Sequence, residues 1–75
     1  MIDVYYAEDD KIIAQSVKEY LEQQHCSVTV FETVADVRKA LGSRIPTILL
    51  VDWNMPDGQG NELCIWVRER LSDLP

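Results

Sequence analysis

Residues 47–51 read Thr-Ile-Leu-Leu-Val, a run with no polar alternation after its first position, entered through Pro46 and left through Asp52. A strand with one wet face alternates polar and apolar residues. A run without alternation is expected where both faces are covered, as in parallel sheets flanked by helices. Pro46 lacks the amide that a ladder requires and suits the approach to such a strand better than its interior. The run is therefore read as the most buried strand of a layered α/β sheet, which demands helices to cover it.

The flanking sequence supplies those elements. Residues 2–7, Ile-Asp-Val-Tyr-Tyr-Ala, are rich in β-formers and stop at Glu8-Asp9-Asp10. From Asp9 or Asp10 to Gln24 the apolar positions Ile13, Val17, Tyr20 and Leu21 recur at helical spacing. The acids open that helix, and His25 sits at the end where a cation is favoured. Residues 27–31, Ser-Val-Thr-Val-Phe, are a second strand. Thr33 and Asp36 have capping-box spacing ahead of Val34, Val37 and Leu41 on one face, with Gly42 as the stop. Residues 52–60 read as a loop by the Pro56-Asp57-Gly58 turn signal, followed by a helix from about Asn61 that turns Leu63, Val67 and Leu71 inward.

The order β-α-β-α-β-α predicts a parallel sheet with right-handed crossovers. With the first strand central, the strand order is 2-1-3. The third strand then has an outer edge with no partner in the 75 residues. Such an edge invites pairing with another chain, so a homodimer through it is one expectation.

Composition narrows the ligand. Lys and Arg number 7 against 13 Asp and Glu, a net charge of −6. That balance disfavours phosphate backbones and anionic lipid heads, so neither direct nucleic-acid binding nor a membrane role is expected, and a cation is the more natural ligand. No apolar stretch approaches the roughly 20 residues of a membrane span, and no basic segment leads into a signal-type run, which predicts a cytoplasmic location. Cys26 and Cys64 form no Cys-x-x-Cys pair and are read as free thiols in or near the core.

Carboxylates end two of the strands: Glu8 and Asp9 follow the first, Asp52 the third. In an open parallel sheet the ligand crevice lies at the carboxyl ends of the strands, where the winding reverses. In the 2-1-3 order that reversal falls between the first and third strands, so Glu8, Asp9 and Asp52 are expected to converge there. Converging carboxylates must take up protons or hold a cation. Mg²⁺ suits an oxygen-only set that includes the backbone carbonyl of Asn54, whereas the absence of His and Cys argues against Zn²⁺. A carboxylate beside Mg²⁺ is also a competent nucleophile toward phosphorus, and Asp52, alone at the end of its strand, is the best placed.

An acidic helix start alone only complements the helix dipole, and a lone Asp commonly ends a strand at a turn; the two at adjacent strand ends are what favour a metal site. A calcium loop starting at Asp52 is excluded by Pro56, by Asp57 at the glycine position and by Leu63 at the position of the closing Glu. A haloacid-dehalogenase type of phosphatase would need a second Asp where Asn54 stands. The chain is accordingly not expected to be a turnover enzyme.

Residues 4–10, Val-Tyr-Tyr-Ala-Glu-Asp-Asp, and residues 49–63, with Asp52, Met55-Pro56-Asp57-Gly58 and Gly60, resemble the two N-terminal signatures of receiver domains of bacterial two-component response regulators. The resemblance covers the whole chain and implies a flavodoxin-like, doubly wound α/β fold. It further implies that Asp52 is the phosphoacceptor, that Glu8, Asp9, Asp52 and the Asn54 carbonyl hold Mg²⁺, and that a sensor histidine kinase is the phosphodonor. In the family the first helix helps dock the kinase, and here its exposed face would offer Lys11, Gln15 and Lys18. Family receivers also carry a Ser/Thr after a fourth strand and a Lys after a fifth. The 75 residues contain neither strand, so residues 1–75 are expected to be a partial receiver, a (βα)3 unit with impaired phosphorylation. The alternative is an interaction module that self-assembles through the third strand without phosphorylation.

Overall fold

The computed structural model describes residues 1–70, with the backbone alone at 59–61 and 70. In chain order the elements are β1 (Ile2–Ala7), α1 (Lys11–Gln23), β2 (Cys26–Phe31), α2 (Val34–Leu41), β3 (Ile48–Val51), β4 (Asn54–Met55), β5 (Gly58–Gln59) and α3 (Gly60–Arg70). The first three strands form one sheet in the order β2-β1-β3, as the alternating pattern predicts. Both pairings are parallel.

Register sets the functional rim. Ala7 lies opposite Phe31 on one side and Val51 on the other, so the three strands end level. The ladder continues one residue further: the Glu8 amide donates to the Phe31 carbonyl at 3.0 Å, and the Asp52 amide to the Ala7 carbonyl at 2.9 Å. The residues that follow β1 and β3 therefore leave the sheet side by side.

Alternation along β1 builds two cores. Tyr5 and Ala7 join Val34, Val37 and Leu41 of α2, Met55, and Leu63 and Val67 of α3 on one face. Val4 and Tyr6 join Val28 and Ala14 on the other, with Val17 and Leu21 of α1 packed against them. Helices thus cover both faces, which is the doubly wound arrangement.

The most buried strand is β1, not β3. Val4, Tyr5, Tyr6 and Ala7 are all buried, whereas Ile48, Leu49 and Val51 are half-buried and Leu50 is 36% exposed. The reason is position. β1 has a neighbour on each side, while β3 lies at the edge of the described sheet, and apolar character could not distinguish centre from edge.

Helix α1 also rotates from the expected stripe. Ala14, Val17 and Leu21 face the sheet, while Ile13 and Tyr20 are 49% and 62% exposed. A small Ala at i, i+3, i+7 spacing with Val17 and Leu21 allows close approach to the sheet, which bulky Ile13 would not. The helix begins at Lys11, one residue after the later of the two expected starts, with the Asp10 carboxylate as its cap accepting the amides of Ile12 at 2.9 Å and Ile13 at 3.1 Å. Lys11 and Gln15 are exposed as expected, but Lys18 is half-buried. Cys64 likewise departs from the core reading, being exposed, while Cys26 is intermediate.

The end of α1 carries a local cost. His25 has φ 64°, and its amide donates back to the Glu22 carbonyl at 3.2 Å. A left-handed residue there is a common helix terminator but favours Gly. The left-handed conformation costs an L-residue about 1–2 kcal/mol, and the extra unfolded-state freedom of Gly returns about 0.5–1 kcal/mol of that. His25→Gly is therefore expected to raise the urea midpoint by an amount equivalent to about 0.5–1 kcal/mol; an unchanged or lower midpoint would refute the cost.

Residues 52–60 are more ordered than a plain loop. Asn54 pairs with Gln59 and Met55 with Gly58 in an antiparallel hairpin. Its two-residue connection, Pro56-Asp57, has no positive φ. Unprimed turns splay the strands they join, which accounts for a ladder of only two pairs. Helix α3 begins at Gly60, next to the expected Asn61, and Leu63 and Val67 are buried as the pattern predicts. Leu71 lies outside the described residues. No helix among those described is long and apolar enough to cross a membrane.

Candidate functional site

The level strand ends bring the predicted acids together. Glu8, Asp9 and Asp52 each present a carboxylate oxygen within 4.8 Å of the others. Their environments differ: Glu8 is buried, Asp52 half-buried and Asp9 exposed. Asn54 opens β4 two residues after Asp52, and Trp53 between them is 61% exposed.

Glu8 is the pivot. The Tyr6 hydroxyl donates to one of its oxygens at 3.3 Å, and the Asp10 amide donates to the other at 3.3 Å. Burial pushes its carboxyl above the ordinary Glu range, and the Asp52 charge adds to that push; the two donors pull the other way. Burial, and then the Glu8 charge, raise the Tyr6 phenol to about 12. It therefore remains a donor at neutral pH.

A raised carboxyl has a definite sign in stability. The ionised form is penalised in the folded chain, so stability is lost as pH rises from the unfolded value near 4.5 through the higher folded one. In metal-free buffer Glu8→Gln removes this loss. The stability difference between Glu8→Gln and the parent is expected to shift in favour of the variant from about pH 4 to about pH 7, read as urea midpoints. A difference independent of pH would refute the strain.

Two participants escaped sequence reasoning. Tyr6 was legible in principle, because residues i and i+2 share a strand face and Glu8 follows it at that spacing. Asp57 was not. Its carboxylate accepts the amide of Val34 at 2.7 Å and that of Ala35 at 3.0 Å, across more than twenty residues of chain. Those two amides hold the Asp57 carboxyl below the usual Asp range.

A buried carboxylate with two donors, two further carboxylates within ion-bridging distance and, among the described residues, no nitrogen or sulfur ligand in the cluster form a hard-oxygen set suited to Mg²⁺. Phe31 and Val51 flank Ala7 at the same rim, so the acids sit where an open α/β sheet binds its ligand.

A family model for the response regulator receiver domain matches residues 4–75. The chain belongs to that family. The DNA-binding transcriptional regulator NtrC of Proteus hauseri is 33% identical over 73 residues, covering 97% of this chain and 15% of the relative. The solved receiver domain of Francisella response regulator 1452 is 27% identical with a TM-score of 0.93, covering 100% of this chain and 62% of that one. The MaeR response regulator bound to beryllium trifluoride is 29% identical with a TM-score of 0.84, covering 92% of this chain and 58% of that one. The receiver chain thus spans a small part of the regulator and about three-fifths of the solved domains.

Proposed function

We propose that this receiver chain is the phosphoacceptor part of a cytoplasmic two-component response regulator, with Asp52 as the accepting residue. The convergence of Glu8, Asp9 and Asp52 carries the reading. Family membership and the likeness to MaeR, solved bound to beryllium trifluoride, support it.

Glu8, Asp9, Asp52 and the Asn54 carbonyl would hold Mg²⁺. The bound ion supplies charge neutralisation for the incoming phosphoryl oxygens. The rest follows from the chain itself. Glu8, fixed by Tyr6 and the Asp10 amide, keeps its ligand oxygen at the rim. Asp52, whose amide is tied to Ala7, presents its carboxylate from the end of β3. A lone pair of Asp52 forms the new O–P bond as the P–N bond of a phosphohistidine breaks. The leaving imidazole keeps those electrons and takes a proton from solvent water, and an acyl phosphate results. The donor is a sensor histidine kinase, and the net charge of −6 keeps this segment away from nucleic-acid phosphates. One phosphoryl group is accepted per chain, with no turnover of a substrate. Residues 1–75 correspond to the first three βα units of a receiver.

The test is intact mass after incubation with Mg²⁺ and acetyl phosphate. The expected product carries the mass of one phosphoryl group, labile to hydroxylamine. An unchanged mass overturns the proposal for this chain.

A further inference from the structure

The hairpin after Asp52 is held at three points. The Asp52 amide donates to the Ala7 carbonyl, the Met55 side chain is buried in the core, and the Asp57 carboxylate accepts the first two amides of α2.

Helix α2 already has a cap from its own connection: Thr33 Oγ1 accepts the Asp36 amide at 3.1 Å. A helix leaves its first-turn donors open, and Thr33 closes one locally while Asp57 closes two from a distant segment. The remote bonds join two loops at the same rim, and one of those loops carries Asp52 and Asn54.

We propose that Asp57 is a positioning residue for the acidic site: seated on the N-terminus of α2, its carboxylate fixes the path of residues 53–56 and so the ligand set around Asp52. The inference rests on reading that site as a Mg²⁺-binding phosphoacceptor. Without Asp57 the hairpin keeps its own two pairs and the buried Met55 but loses its tie to α2. The lost order must then be restored when a ligand binds, which weakens affinity.

The experiment titrates the 75-residue chain, Asp57→Asn and Asp57→Ala with MgCl₂. Tryptophan emission and the thermal midpoint are followed in parallel, at a temperature where circular dichroism shows each chain folded. Asp57→Ala is expected to raise the Mg²⁺ midpoint roughly tenfold, and Asp57→Asn, which keeps one acceptor oxygen, roughly threefold. In metal-free buffer the amides of Val34 and Ala35 should exchange faster in both variants, while the Val37 amide, bonded to the Thr33 carbonyl, should not. A purely structural cap would lower the unfolding midpoint and leave the Mg²⁺ midpoint alone. Should Asp57→Ala fail to fold, Asp57→Asn decides. Variants that titrate like the parent overturn the positioning role and leave the metal reading standing. A parent chain with no Mg²⁺ response overturns that reading, and this inference with it.

Discussion

Asp52→Asn should remove the acetyl-phosphate adduct entirely, the largest change any single substitution is expected to make to this chain's chemistry. The amide nitrogen and oxygen of Asn lack the charge that makes a carboxylate oxygen a nucleophile, and no neighbouring group can replace it in line. Glu8 is buried and already engaged by two donors. Asp9 precedes α1 rather than ending β3. Glu8→Gln and Asp9→Asn should therefore slow formation of the adduct by roughly ten- to a hundredfold without abolishing it, as expected when ligands are weakened and the nucleophile is kept. Intact mass against time separates the two classes. A hydroxylamine-labile adduct on Asp52→Asn would move the acceptor elsewhere and defeat the assignment.

Leu63→Ala should unfold most of the chain at room temperature. Leu63 is fully buried, in contact with the cluster that joins β1, α2 and α3. Truncating a buried Leu to Ala costs about 2–5 kcal/mol, and a single core in a chain of this size rarely supplies more than about 3–5 kcal/mol. The two quantities are comparable, so little remains. Far-UV circular dichroism and a urea titration check it. A cooperative transition shifted by less than about 1 kcal/mol would mean that α3 contributes less to the core than its burial indicates.

Much of this was readable from residues 1–75 because the informative patterns are local. Strand order followed from alternation of element types. The acids converged because two strand ends that neighbour in the sheet each terminate in carboxylates. The Thr33 cap and the inward face of α2 were equally local. What failed depended on tertiary position. The Leu-rich β3 reads as more central than the Tyr-bearing β1, yet two neighbours bury β1 and one leaves Leu50 partly open. Ile13 and Tyr20 fit a helical stripe that the sheet rejects in favour of Ala14. Asp57 looked like a turn residue because nothing within several positions of it announces that its partners are Val34 and Ala35.

The flush ending of β1, β2 and β3 also dictates where the gene can change length. Residues added or removed between Gly42 and Pro46 disturb the Arg44–Asp3 ion pair but not the phase of β3, because the Thr47 amide bonded to the Asp3 carbonyl re-sets it before β3 begins. One codon gained or lost within residues 48–51 is different. Successive side chains point to opposite sides of a pleat, so the carboxylate at 52 would swing away from Glu8 and Asp9. Indels should accumulate in the first stretch and be purged from the second.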